Sequence, residues 1–305
     1  MLRYGVTVCG LVLVFASGMT VRNESRAVER TAAGATKAAD LVASPRVLVI
    51  AHRGNSSVAP ENTLPAFRAA VEVGADLVEL DYYHSADGIP VTFHDKTLDR
   101  TTDAVARWGT VEVPVTSKSL AELRMLDAGA WFDRRFTGTQ IPTLDESLDV
   151  IQNGSMTLIE RKHGDAKTCI ELLRQKQLLD RVVVQAFDWD FLKDCRQLEP
   201  SLALGALGGD PLTDEQLAEI QTFSPQVVGW QAKSLDADTI RRIHERGMKA
   251  WAWTVDDVDH ADALAAAGID GIITNVPERV RAHLAKPAPI DVGLLPKSQA
   301  FPDVK

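Results

Sequence analysis

Residues 46–285 are predicted to fold as an α/β domain of the (β/α)8 TIM-barrel class, on three observations. Short β-branched runs recur eight times, at Val47–Ala51, Leu77–Asp81, Thr157–Glu160, Val182–Ala186, Leu202–Leu207, Val227–Trp230, Lys249–Val255 and Gly271–Thr274. Amphipathic stretches separate most of them, so strand and helix alternate as a barrel requires. No Gly-rich G-x-G-x-x-G turn follows the first run, which places a doubly wound open sheet second.

The first run ends in Ala51-His52-Arg53-Gly54, which puts a histidine and an arginine at a strand's carboxyl end, where barrel enzymes gather reactive groups. Gly54 lets the backbone turn sharply or approach a ligand closely, and Arg53 offers forked donors that match phosphate oxygens. In Pro60-Glu61-Asn62-Thr63-Leu64-Pro65, Asn62 or Thr63 can cap the helix expected over Thr63–Val73, with Pro65 in its first turn.

The second run carries Glu79 and Asp81, which strand alternation places on one face. Two adjacent acids call for a cation; the plainer alternative is a solvated polar face. Asp87-Gly88 signals a hairpin, and a two-residue loop there sets Asp81 opposite His94, delivering a carboxylate pair and an imidazole to one point.

An insertion over about residues 95–143 separates the second and third runs and holds Trp108, Trp131, Phe132 and Phe136. It reads as a lid or substrate wall, or else as a packing cap on one barrel end. The third run ends in Glu160-Arg161-Lys162, with Glu160 and Lys162 on one face. Glu160 completes a three-carboxylate set with Glu79 and Asp81, and oxygen-only ligands suit Mg²⁺ or Ca²⁺ better than zinc. Lys162 and Arg53 then flank an anion held by the metal. Two imidazoles, His52 and His94, suit general acid–base catalysis on a bound phosphate.

Helices are expected over Asp165–Leu178, Asp188–Leu198, Thr213–Phe223, Ala237–Arg246 and Asp257–Ala267. In the seventh run Trp251 and Trp253 share a face, and Trp253, nearer the carboxyl end, offers a surface for a sugar or glycerol backbone. His244, His260 and His283 fall on helices and read as solvated.

The 305-residue chain is 45% hydrophobic, ordinary for a globular protein, and its formal net charge of −9 argues against a nucleic-acid partner. Met1-Leu2-Arg3 precedes an apolar stretch from Tyr4 to Ala16, a signal-peptide pattern covering residues 1–18. It predicts export to a periplasmic or extracellular space, with no stable membrane span in the mature chain; an uncleaved N-terminal anchor is the alternative. Residues 19–45 and 286–305 read as flexible linker and tail. Cys169 and Cys195 either pair after export or stay buried thiols. Oligomeric state is not legible in the sequence.

Taken in order, His52-Arg53-Gly54, Pro60-Glu61-Asn62-Thr63, Glu79-Leu80-Asp81, His94-Asp95, Leu126-Asp127-Ala128-Gly129, Ile141-Pro142-Thr143-Leu144, Glu160-Arg161-Lys162 and Trp253-Thr254-Val255 make the chain resemble the glycerophosphodiester phosphodiesterases, over about residues 46–282. The resemblance implies a barrel that uses one divalent cation to cleave a small-molecule glycerophosphodiester to glycerol phosphate and an alcohol. It implies catalytic His52 and His94, metal ligands Glu79, Asp81 and Glu160, and Arg53 and Lys162 on the phosphate. Glu61 and Trp253 join these as expected substrate contacts. One departure is Asn275, where the family more often has Asp. Relatives acting on lysophospholipids in a phospholipase D-like manner are a second expectation, and an exported barrel that binds without turnover is a third.

Overall fold

The computed structural model describes residues 37–285. The expected signal peptide, most of the expected linker and the expected tail lie outside the described residues. In chain order the elements are α1 (Ala38–Val42), β1 (Leu48–Ala51), α2 (Leu64–Glu72), β2 (Leu77–His84), β3 (Pro90–Thr92), α3 (Ala104–Trp108), α4 (Leu120–Leu123) and α5 (Leu144–Ile151). There follow β4 (Met156–Arg161), α6 (Ala166–Gln175), β5 (Val182–Ala186), α7 (Trp189–Leu198), β6 (Ala203–Gly208), α8 (Asp214–Gln221) and β7 (Val227–Gln231). The chain closes with α9 (Ala237–His244), β8 (Lys249–Trp253), α10 (Val258–Ala266), β9 (Gly271–Thr274) and α11 (Pro277–Leu284).

All strands except β3 pair in parallel in the order β1-β2-β4-β5-β6-β7-β8-β9, and β9 returns to β1. The expected barrel is therefore closed. Alternation along each strand sorts the side chains into two sets. Val49, Val78, Leu80, Ile159, Val184 and Leu204 face outward and pack with the helices. Leu48, Ile50, Leu77, Leu158, Val183, Ala203 and Val227 face inward and fill the lower barrel. Each fully buried aliphatic side chain contributes about 1.5–3 kcal/mol.

Part of the segment read as linker is ordered. Ala38 and Val42 of α1 are buried against the inward residues at the amino ends of the strands, and the Ala38 N–H donates to Asp180 O at 2.7 Å. Helix α1 thus plugs the barrel floor, its small apolar residues compensating for the absence of aromatic anchors.

The hairpin corrects the expected register by one residue. Tyr82 faces Thr92 and His84 faces Pro90, so Asp81 stands level with Phe93, whose N–H donates to Asp81 O at 3.0 Å. The loop is three residues, Ala86-Asp87-Gly88, ending on Gly88 at φ +77°. Asp87 Oδ1 accepts from Ser85 Oγ at 2.6 Å and from the Leu120 N–H at 3.0 Å, which anchors this longer loop to the insertion. A one-residue slip reverses faces in a continuous strand. Here β3 ends at Thr92 and the chain leaves the sheet, so His94 still reaches the barrel mouth.

The insertion has its own core, in which Phe93, Leu98, Val115, Leu123, Leu126 and Ile141 pack together. Asp127 staples its turn, accepting from the N–H groups of Gly129, Ala130 and Gly138. None of Trp108, Trp131, Phe132 and Phe136 lines the cavity; Trp108 packs on the insertion's core, whereas Trp131 is exposed. Cys169 and Cys195 are free, buried thiols between sheet and helices, and burial pushes Cys169 up to about 12.

Candidate active site

At the carboxyl ends of the strands a cavity of about 260 Å³ opens, lined by His52, Arg53, Glu79, His94, Glu160, Lys162, Gln185, Phe187, Leu207, Trp253, Thr254 and Ile273. Seven of the nine residues expected from sequence line it: His52, Arg53, Glu79, His94, Glu160, Lys162 and Trp253. Asp81 lies at its edge within the acidic set described next. Glu61 stands behind Arg53 instead of in the cavity, its Oε1 accepting from Arg53 Nη1 at 2.8 Å and from Arg100 Nη2 at 2.7 Å.

Glu79, Asp81 and Glu160 are all buried, and one carboxylate oxygen from each lies within 4.8 Å of the others. Parallel pairing produces this: Asp81 on β2 is in register with Glu160 on β4, and Glu79 sits one inward position below. Burial, reinforced by Asp81 and Glu160, raises Glu79 well above the carboxylate range. Burial and Asp81, opposed by Lys162, push Glu160 up to about 7. Burial acts in the same direction on Asp81, but Lys162, Arg53 and an Asn62 hydrogen bond outweigh it and keep that carboxyl low.

The acids fit a hard cation. Glu79 Oε1 is buried with no hydrogen-bond partner, and Asp81 Oδ1 accepts no aligned hydrogen bond although Lys162 Nζ lies 3.2 Å away. Unsatisfied buried carboxylate oxygens are costly unless something positive completes them, and an all-oxygen set suits a divalent cation of the Mg²⁺ or Ca²⁺ kind. Two cations already stand close: Lys162 Nζ bonds Glu160 Oε1, and Arg53 Nε lies 3.4 Å from Asp81 Oδ2.

Two strained residues hold this set. Arg53 and Asn62 adopt φ +55° and +56°, a region costly for non-glycine residues and recurrent at functional sites. The Arg53 N–H consequently reaches Glu79 Oε2 at 2.7 Å. Asn62 does not cap α2 as expected from sequence; its Nδ2 donates to Asp81 Oδ2 at 2.8 Å and its Oδ1 accepts from the Asp81 N–H at 3.1 Å. Thr63 occupies the cap position without a side-chain bond to the helix, its hydroxyl turned to Pro60 O. Gly54 serves close packing: a Cβ there would meet the Ala66 carbonyl carbon at 2.6 Å.

Each histidine has one ring nitrogen fixed. His52 Nδ1 is 2.7 Å from Asn275 Oδ1, and the Asn275 amide is committed by donating Nδ2 to Asp256 Oδ2 at 2.7 Å. Nδ1 of His52 is therefore the donor, and Nε2 is free to accept a proton. Removal from bulk water, with Arg53 adding to it, holds His52 down to about 4, so it is neutral at ordinary pH. His94 Nδ1 is 2.6 Å from Asp95 Oδ1. Burial works against the Asp95 charge, yet Arg100 and His94 hold its carboxyl down to about 2.

Arg100 joins these parts. It donates Nε to Asp95 Oδ2 at 2.6 Å and Nη1 to Glu61 Oε2 at 2.9 Å, so charges alternate from His94 through Asp95, Arg100, Glu61 and Arg53 to Asp81. The insertion is tied to the acidic set by this ladder. Asp95 was legible only as the partner of His94 in a motif; Arg100, Asp256 and Gln185 carried no recognised signal, although a lone polar residue in the apolar run Val182–Ala186 is itself informative.

Residues 52–279 match the glycerophosphoryl diester phosphodiesterase family. The chain belongs to that family. With it the protein falls among the phosphoric diester hydrolases. A glycerophosphodiester phosphodiesterase of Caldanaerobacter subterraneus is 33% identical over 242 residues, 76% of this chain and 96% of that protein. One from Bacillus subtilis is 31% identical over 271 residues, 81% of this chain and 90% of its own length. Among solved structures, an Oleispira antarctica phosphodiesterase in complex with the product sn-glycerol-3-phosphate is 30% identical, with a TM-score of 0.73 over 79% of this chain and 97% of that one.

Within the family Asn275 was the noted departure. The negative charge in this neighbourhood is carried by Asp256, which holds Asn275 through both its amide and its backbone N–H.

Proposed function

We propose that the protein hydrolyses glycerophosphodiesters to glycerol 3-phosphate and an alcohol, using a cation held by Glu79, Asp81 and Glu160 and proton transfer by His52 and His94. One observation carries the reading: two imidazoles, each with Nδ1 anchored to an oxygen, converge on a cavity that also holds buried acids, Arg53 and Lys162. When bound, Mg²⁺ or Ca²⁺ supplies positive charge to phosphate oxygens as negative charge builds in the transition state.

The chain's own groups do the rest. Arg53 and Lys162 orient the phosphate through charge-assisted hydrogen bonds. His52, neutral with a free Nε2, takes the proton of the attacking oxygen. His94, while it carries the proton, shares its positive charge with Asp95, and it becomes neutral on delivering that proton to the leaving alkoxide. Such acid–base catalysis is worth about 10²- to 10⁴-fold. Glycerol phosphate as the retained moiety is supported by the product named for the Oleispira antarctica structure.

The test is a diester panel run with Mg²⁺, Ca²⁺ and a chelator. Cation-dependent release of glycerol 3-phosphate supports the reading; no release from any member with either ion sinks it. A second reading, cleavage of lysophospholipids, is favoured by the apolar side of the cavity, where Phe187 and Trp253 pack edge to face at 5.6 Å beside Leu207 and Ile273. A lysophospholipid belongs in the same panel. We propose export as well, on the apolar stretch Tyr4–Ala16; the N-terminal sequence of the mature protein recovered outside the cytoplasm tests it.

A further inference from the structure

Strand β5 brings one polar side chain to the barrel interior. Gln185 follows three valines, pairs in register with Glu160 on β4 and Gly205 on β6, and is 1% exposed while lining the cavity. Its Oε1 accepts no hydrogen bond. The neighbouring strands make room for it with glycines: a Cβ added to Gly205 or Gly229 would stand 3.8 or 3.7 Å from that oxygen.

A buried carbonyl oxygen without a donor is unfavourable and calls for an explanation. Three donors of the cavity lining are engaged elsewhere. Lys162 Nζ sits on Glu160 and Asp81, Arg53 Nη1 on Glu61, and Trp253 Nε1 donates to Gly229 O at 3.1 Å. Because Gln185 lines the cavity, a ligand donor can complete it from that side. A carboxamide in register with Glu160 accepts from an uncharged hydroxyl without adding a fourth negative charge to the acids.

We infer that Gln185 is a specificity-determining residue, which accepts a hydrogen bond from a free hydroxyl on the glycerol part of the substrate. This rests on the glycerophosphodiester reading above. Phe187, Leu207 and Ile273 offer no acceptor on the apolar side of the cavity, and the nearby Glu160 is bonded to Lys162, which leaves the amide as the uncharged acceptor for that hydroxyl.

Binding of glycerol 3-phosphate and of propyl phosphate, which lacks both hydroxyls, is measured by calorimetry on the cation-loaded protein, wild type and Gln185→Met. The wild type is expected to favour glycerol 3-phosphate by about tenfold or more, since a site built around a hydroxyl discriminates against its absence. In Gln185→Met the preference drops below about threefold while propyl phosphate binds as before. Gln185→Glu keeps an acceptor and keeps the preference even if both affinities change. A wild type without the preference overturns the inference, as does a Gln185→Met protein that loses both ligands equally. Hydrolysis of the diester panel by the wild type does not depend on this ratio, so failure of the activity reading is seen separately.

Discussion

Asn275 Oδ1 accepts the Nδ1–H of His52 at 2.7 Å because Asp256 claims the other end of the carboxamide, also at 2.7 Å. Two strand ends, β8 and β9, thereby dictate the tautomer of a histidine on β1. Replacing Asn275 with Leu removes the acceptor and frees the ring. A fall of about 10²-fold in kcat is expected, with cation affinity within about threefold of wild type, because a wrong tautomer disables a base without touching ligands. Steady-state kinetics with calorimetry of cation binding checks it; an unchanged kcat removes Asn275 from the mechanism.

Cation affinity is expected to weaken as pH falls below about 7, since the cation-free Glu160 is pushed up to about 7 and must lose a proton on binding. The sign follows from the raised value: below it the carboxyl is protonated and competes with the cation. The apparent dissociation constant rises by up to about tenfold per pH unit under one-proton competition. His52, held near 4, remains neutral at pH 5–6, so activity lost there returns with saturating cation. Calorimetry in buffers of different ionisation enthalpy should show proton release near pH 6, to which Glu79, also raised by burial, adds.

Chelation should lower thermal stability. Cation at about 100 times its dissociation constant stabilises the folded state by about 2.7 kcal/mol, which for a domain of this size is roughly 5–10 °C in Tm. Thermal melts with and without chelator test it. A Tm indifferent to Mg²⁺, Ca²⁺ and chelator at every pH speaks against a cation at the three acids.

Arg100→Met cuts the ladder between Asp95 and Glu61 without altering any residue that lines the cavity. About a tenfold loss in kcat is expected from misplacement of His94 and Arg53, with far-ultraviolet circular dichroism unchanged. Full activity in the variant shows that the insertion and barrel mouth position these groups independently.

Gly129→Ala forces a methyl group to within 2.2 Å of Phe136 O and 2.7 Å of Thr139 Oγ1. The turn cannot yield without breaking the Asp127 bonds, so a destabilisation of about 2–4 kcal/mol is expected in urea unfolding. A loss under about 0.5 kcal/mol would mean the cap relaxes freely.

The barrel and the acids were legible because their signals are local. Strand runs are short and apolar, and period-two alternation alone sets Glu79, Asp81, Glu160 and Lys162 to face inward. The hairpin register was not, since an Asp-Gly pair serves two- and three-residue loops alike, and the choice was made by Asp87 bonding to Leu120, 33 residues away. Asn62 reads as a cap from its neighbours, yet its left-handed backbone aims the amide at Asp81. Partners such as Arg100, Asp256 and Gln185 acquire meaning only once distant strands are placed side by side.

Helix α1 enters beneath the strands' amino ends, and α11 finishes on the same side, where Arg281 reaches Gly74 O and Asp76 near the start of β2. Both ends of the described chain therefore leave by the face opposite the cavity. A tether joined directly to residue 37 or residue 285 would leave from the face opposite the cavity, which suits the barrel to immobilisation with its mouth pointing outward.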